Sequence, residues 1–199
     1  MLVTRISEQQ KNPDRTSIYV DGKYSFSLTI NQLLESKLKI GTELTDNDIK
    51  EYLRLSDEGK LKVRTFDWLT LRPRSAKELT DYLRKKKLEP ELISQWIVDF
   101  QQKRYQDDTV FAAWWIEQRR KQLRSESYIR QELRSKGVTQ EIISDVLSSS
   151  EANDTDALNA LIIKKRRQTK YQDDQKLLEY LVRQGYRYSL VKIALAELE

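Results

Sequence analysis

The sequence contains no cysteine and no histidine. The first absence excludes disulfides, thiolate nucleophiles, iron–sulfur clusters and zinc ribbons. The second removes Ser-His-Asp chemistry, imidazole acid–base catalysis and nearly every transition-metal site. Glycine and proline are scarce, at five and three in 199 residues. A sandwich or barrel turns on many such residues, so an all-β fold is excluded. The glycine count also argues against a phosphate-cradling loop, and no Walker, GxGxxG or CxxC motif is present. Long apolar runs are missing: the longest, Val110 to Ile116, falls far short of the roughly 20 residues that a membrane span requires. The N-terminus, Met1-Leu2-Val3-Thr4-Arg5, lacks the charged-then-apolar pattern of a secretion signal. Most enzyme classes are thereby excluded, and the expectation is a soluble cytoplasmic protein that uses no membrane, metal or cofactor.

What the chain has in quantity is charge. Lys and Arg number 36 against 31 Asp and Glu, and apolar residues make up only 38%, against a usual roughly 45–50%. Residues 1–60 hold 9 basic and 10 acidic residues, so the whole positive excess lies beyond residue 60. That bias suits an anionic partner, either nucleic acid or an acidic protein groove.

The first 30 residues are patterned for strands. Asp21-Gly22 is a favoured two-residue hairpin turn, flanked by Ile18-Tyr19-Val20 and the alternating Tyr24 to Leu28. Leu2 to Ser7 reads as a further strand, with Asn12-Pro13-Asp14 as the turn after it. A short helix is expected over Asn31 to Ser36. Thr45 and the acids after it then open a helix carrying Ile49, Tyr52 and Leu53.

From about residue 60 the pattern is helical and it repeats. Leu79, Leu83 and Leu88 recur as Ile129, Leu133 and Val138, and again as Leu177, Leu181 and Tyr186. Ile93, Trp96 and Ile97 recur as Ile143, Val146 and Leu147, then as Val191, Ala194 and Leu195. A preceding helix is marked by Val63, Phe66 and Leu69, by Phe111, Trp114 and Trp115, and by Leu158, Leu161 and Ile162. Pro90 and Thr139 open the last helices of the first two units. A period near 50 residues marks stacked helical modules that complete one another's cores. The expected fold is mainly α: an elongated tandem array of three three-helix units preceded by a small β-hairpin-containing cap. The expected boundaries are 1–58 for the cap, then 59–104, 105–153 and 154–199. Ser148-Ser149-Ser150 with the residues to Asp156 reads as a flexible junction.

Basic residues cluster at Arg72, Arg74 and Lys77; at Arg119, Arg120, Lys121 and Arg124; and at Lys164, Lys165, Arg166, Arg167 and Lys170. Arg130 and Arg134 share a helix face, one turn beyond Glu126. Cations at helix C-termini are ordinary helix chemistry, but recurrence in every unit points to a binding strip. The two Tyr-Gln-Asp-Asp motifs, at 105–108 and 171–174, resemble a duplicated metal site. They fall out of step with the repeat, however, so they read as helix caps and the nuclease reading is rejected. Trp96 and one of Trp114 and Trp115 read as core, leaving one adjacent tryptophan partly exposed, while Trp68 is open to base stacking.

Arg72-Pro73-Arg74-Ser75 with Glu78-Leu79 and Leu83 resembles the first-unit signature of the RecX family, bacterial regulators of the RecA recombinase. Asp107 to Trp114 is similar to its second-unit opening. Ile129 to Val138 and Tyr180 to Tyr186 are similar to its later turns, and Asp21 to Leu28 to its β extension. Lys87 stands where the family often has Gly, implying a less sharp end to that helix. The resemblance implies a non-enzymatic inhibitor, monomeric, seated in the groove of the RecA–DNA filament and lowering ATPase and strand exchange. DNA is the further expected partner, bound within the filament and more weakly alone. Arg72, Arg74, Lys77, Arg119, Arg120, Arg124, Arg130 and Arg134 would meet the filament, with Lys164, Lys165, Arg166 and Arg167 near DNA. A DNA-binding repeat protein acting without RecA is the alternative.

Overall fold

Asp21 and Gly22 adopt φ of 48° and 81°, the left-handed pair that a two-residue hairpin turn demands. They join β2 (Asn12–Val20) to β3 (Lys23–Thr29), and β1 (Val3–Gln9) pairs antiparallel with the other side of β2. The computed structural model describes residues 1–10, 12–149 and 154–197. Two compact bodies are formed, Met1–Leu71 and Arg72–Glu199.

The expected strands are there, but Asn12-Pro13-Asp14 is not the turn. These residues lie inside β2, with Asn12 opposite Gln9 and a register shift between Glu8 and Gln9. The β2–β3 ladder begins only at Arg15. Pro13 thus sits in an irregular overhang that needs no N–H from it, the place where a strand accepts proline.

Val3, Ile18, Val20, Phe26 and Leu28 form the core of this body with Leu38 and Leu44. Two helices follow, α1 (Ile30–Ser36) and α2 (Asp46–Thr70), each opened by a capping box: Thr29 with Gln32 and Thr45 with Asp48. Ile49, Tyr52 and Leu55 pack on the sheet core, whereas Leu53, expected beside them, is exposed. Val63 and Phe66, expected in a repeat core, are also exposed, and only Leu69 of that trio is buried. Small residues explain the place of Leu53, because α2 buries Ser56 and Gly59 on the side that meets the sheet and Leu53 lies off that side. A Cβ on Gly59 would lie 2.8 Å from Gln32 Oε1 and 3.1 Å from Arg15 Nη1. Arg15 is itself buried, and its guanidinium donates to the Ser27 carbonyl and hydroxyl, both at 2.8 Å. α2 runs unbroken past residue 58.

The second body is helical among its described residues. It comprises α3 (Ala76–Lys85), α4 (Pro90–Gln102), α5 (Asp108–Lys121), α6 (Glu126–Ser135), α7 (Gln140–Ser148), α8 (Asp154–Arg166), α9 (Asp174–Arg183) and α10 (Tyr188–Glu197), with one 3-10 turn at Thr169–Tyr171. The repeat register holds. Phe111, Ile129, Leu133, Val138, Ile143 and Leu147 enclose one core with Ala112 and Ile116. Leu158, Leu161, Ile162, Leu177, Leu181, Tyr186, Val191, Ala194 and Leu195 enclose another. Leu79, Leu83, Ile93 and Trp96 are likewise buried. The expected junction lies partly outside the described residues: Ser148 ends α7, Asp154 begins α8, and nothing between 150 and 153 is described.

The middle helices α3, α6 and α9 end alike. Lys87, Gly137 and Gly185 take φ of 60°, 82° and 91°. The next N–H closes on the carbonyl five back in each case: Leu88 to Leu83 (3.3 Å), Val138 to Leu133 (3.1 Å) and Tyr186 to Leu181 (3.3 Å). The less sharp end expected at Lys87 does not occur; lysine is held in the glycine conformation by the same hydrogen bonds. Left-handed backbone costs a residue with a Cβ roughly 1–2 kcal/mol. Lys87→Gly is therefore expected to stabilise the protein by about 1 kcal/mol, read as a rise of roughly 2–4 °C in melting temperature. An unchanged or lower melting temperature would show that Lys87 carries no strain.

Candidate interaction surface at the repeat joints

The second body is held by contacts that recur from joint to joint. The first turn of any helix leaves backbone N–H groups without partners. At α3, Ser75 Oγ accepts the Glu78 N–H (3.1 Å), and the Ala76 N–H donates to Asp108 Oδ1 (2.8 Å), the residue that begins α5. At α6, Ser125 Oγ accepts the Tyr128 N–H (3.2 Å), and the Glu126 N–H donates to Asp154 Oδ1 (2.7 Å), the residue that begins α8. One carboxylate thus opens each new repeat and caps the middle helix of the one before it.

Close backbone approach completes each joint. A Cβ on Gly137 would stand 2.9 Å from Lys77 Cβ, and Lys77 Nζ donates to the Ser135 carbonyl (2.7 Å). A Cβ on Gly185 would stand 2.5 Å from Ser125 Oγ. The Ser125 hydroxyl donates to the Gln184 carbonyl (3.1 Å), and the Tyr186 hydroxyl to the Leu123 carbonyl (3.0 Å). Leu123 is itself left-handed, with φ of 56°. Both glycines therefore serve a positive φ and a close contact at once.

Around the first joint the cations and tryptophans interleave. Arg72 pairs with Glu78 (3.0 Å) and lies over Trp114, 5.0 Å from its ring centre. Lys136 reaches the same carboxylate (2.8 Å) and lies 4.2 Å from the Trp115 ring centre. Arg119 covers Trp115 too, also at 4.2 Å, and pairs with Glu132 (2.5 Å), which accepts the Trp115 indole N–H at 2.9 Å. Three cations, two carboxylates and two half-buried indoles form one connected network. Neither adjacent tryptophan is fully buried, whereas Trp96 is core as expected and Trp68 is half-buried.

The other basic residues separate by environment. Arg74 is half-buried, and burial together with the Arg72 charge lowers its pKa. Arg120 is half-buried near Asp154. Arg124 binds Gln184 and stacks on Tyr128 at 4.6 Å. Arg130 pairs with Glu126 (2.8 Å), and Arg134 forks onto Gln140 Oε1 (3.0 and 2.7 Å). Lys165 lies over Tyr180 at 4.6 Å, and Arg166 pairs with Asp174, while Lys164 and Arg167 are exposed. The capping reading of the acidic motifs holds: Asp107 accepts the Thr109 N–H (2.7 Å) and Asp173 the Lys176 N–H (3.0 Å). Gln106, from the same motif, is buried, and its amide donates to Asp108 (2.8 Å) and to the Arg74 carbonyl (3.2 Å).

Sequence reasoning overlooked Lys136, Glu132, Gln184 and Asp154. Only the i, i+50 spacing of Ser75 and Ser125 hinted at the joints. Electrostatically, burial works to raise the Glu78 pKa, but hydrogen bonds from Arg72 and Lys136 outweigh it and hold the carboxyl below 4.5. Asp154 is shifted the other way: burial, with Glu126 beside it, raises its pKa despite the Glu126 N–H.

Three outcomes are expected from thermal melts. Gly185→Ala loses at least about 2 kcal/mol, since left-handed strain adds to a Cβ clash. Asp154→Ala loses about 1 kcal/mol with the cap, whereas Asp154→Asn keeps an acceptor and sheds a disfavoured charge, so it holds or gains stability at neutral pH. The Glu78 carboxylate, depressed in the fold, stabilises above the ordinary glutamate value and loses this contribution as pH falls below about 4.5; Glu78→Gln flattens that acid limb. Equal losses for both Asp154 variants would refute the cap, and an unaltered acid limb would refute the Glu78 network.

Comparison with known proteins finds three-helix domains at the first two of these repeats. Three family descriptions match: regulatory protein RecX N-terminal domain over residues 1–45, the first RecX three-helix domain over 62–97, and the second over 107–147. The regulatory protein RecX of Bacillus subtilis (strain 168) is 32% identical, the match covering 99% of this chain and 77% of that one. That of Listeria monocytogenes serovar 1/2a is 34% identical, covering 99% and 76%. A crystal structure titled regulatory protein RecX superposes with a TM-score of 0.75 at 24% identity, covering 98% of both chains, and so shares the fold. With relatives of this identity along nearly its whole length, the chain belongs to the RecX family of regulatory proteins.

Proposed function

We propose that this chain regulates the RecA recombinase by seating in the groove of the RecA–DNA filament, lowering ATPase and strand exchange without catalysing a reaction of its own. Family membership supports the regulatory role. The observation that carries the filament reading is the recurrence of cations at the same place in successive repeats: Arg119, Arg120 and Lys121 close α5, and Lys164, Lys165 and Arg166 close α8. A groove bounded by DNA phosphates and acidic protein suits such cations. In this reading Arg74, Lys77, Arg130 and Arg134 face the filament and Lys164 to Arg167 lie near DNA. Arg72 and Arg119 act mainly by holding the tryptophan network. The chain works as a monomer in the cytoplasm, where the filament is.

The test is RecA's single-strand-dependent ATPase rate as the protein is titrated in, with binding to bare DNA measured in the same buffer. Inhibition well below one molecule per RecA, with weak bare-DNA binding, is expected. A combined Arg134→Gln, Lys164→Gln and Arg167→Gln variant is expected to need about ten-fold more protein for the same inhibition, with helicity unchanged. Undiminished inhibition would remove those side chains from the contact. No inhibition alongside strong, salt-sensitive binding to bare DNA would overturn the RecA reading itself.

A further inference from the structure

Between the second and third repeats lies a groove of about 680 Å³. Three arginines line it: Arg130 and Arg134 from α6, and Arg187 just before α10. Leu147, Leu190 and Ile193 make its apolar part, and Ile193 is 57% exposed. Glu126 and Asp154 stand in the same groove. We propose that this groove binds an acidic protein segment that also carries an aliphatic side chain, rather than a nucleic-acid backbone. The assignment rests on the filament reading in so far as Arg130 and Arg134 are contact residues there, and it specifies what they meet.

Charge and apolarity together select the occupant. The Glu126 carboxylate is spent on Arg130 (2.8 Å), and Asp154 on the Glu126 N–H (2.7 Å). Arg134 is held by a neutral amide, Gln140, and has no acidic partner among the described residues. The Arg187 side chain forms no hydrogen bond or ion pair among them either; its charge acts on Asp154 from a distance. α10, which begins at the next residue, has no acidic side chain in its first turn, so an incoming carboxylate supplies the charge that its N-terminus favours. Side chains spaced along a peptide place carboxylates on Arg134 and Arg187 and an aliphatic group on Ile193 and Leu190. A run of phosphates cannot do both. Its unbroken charge meets Glu126 and Asp154, and it leaves the apolar wall in water.

The probe is a short fluorescein-labelled peptide of alternating aspartate and leucine, followed by anisotropy. An asparagine–leucine peptide and an oligothymidylate serve as controls. Arg187→Gln and Ile193→Asn are each expected to weaken Asp–Leu binding by about five-fold, with unchanged melting temperature. Oligothymidylate is expected not to displace the peptide. No peptide binding, equal binding of the uncharged peptide, displacement by oligothymidylate, or indifference to both variants would overturn the proposal. Inhibition of RecA by a chain that binds no such peptide would remove the groove assignment and leave the filament reading intact. Peptide binding lost in both variants, with no effect on RecA, would support the groove while removing the filament as its setting.

Discussion

The second body depends on one repeated hydrogen bond, from the first N–H of a middle helix to the carboxylate that begins the next repeat. Asp108 makes it to Ala76 and Asp154 to Glu126. The helices it serves, α3 and α6, have ten residues each, too few to be stable alone in water. Each needs its neighbours, and a chain with this little apolar content cannot supply them by burial alone. The aspartate satisfies an orphan donor, complements the helix dipole and ties two repeats together in one contact. The left-handed turns that end α6 and α9 are what bring each of these helices close to the repeat before it, as the narrow spaces beside Gly137 and Gly185 show.

This construction changes how the basic residues are understood. A strip of arginines and lysines invites a purely electrostatic reading, but Arg72, Arg119 and Lys136 are spread over two tryptophan faces and two carboxylates. Cation–π contacts and half-buried ion pairs of this kind orient a surface more than they stabilise it. Their role is to present the remaining cations from a fixed frame. Mutating them disturbs the joint first and any partner second, so the exposed cations are the cleaner reporters of binding.

Burial of polar groups follows the same logic in the first body. Arg15 is taken out of water beneath α2, and its cost is offset by Ser27 and by the Ser56 carbonyl at 3.3 Å. That arrangement requires small residues on the helix above it, which is why α2 turns Ser56 and Gly59 inward and leaves Leu53, off that face, outside. Apolar periodicity ranks leucine as core. Here close approach of backbone and guanidinium outweighed side-chain hydrophobicity.

By itself the sequence determined the hairpin at Asp21-Gly22, the caps at Thr45, Asp107 and Asp173, and the repeat register from Leu79 to Leu195. These are local or periodic features: a positive φ, an unsatisfied N–H, or a stripe of apolar residues at helical spacing declares itself within a few residues. Only the tertiary structure decided that Pro13 lies within a strand, that Lys87 adopts a glycine's conformation, and that α2 faces inward through its small residues. It also decided which cations are spent on tryptophan and which face the groove before α10. Those outcomes depend on partners tens of residues away, such as Lys136 for Glu78 and Asp154 for Glu126. The spacing within either segment carries no record of where its partner will stand.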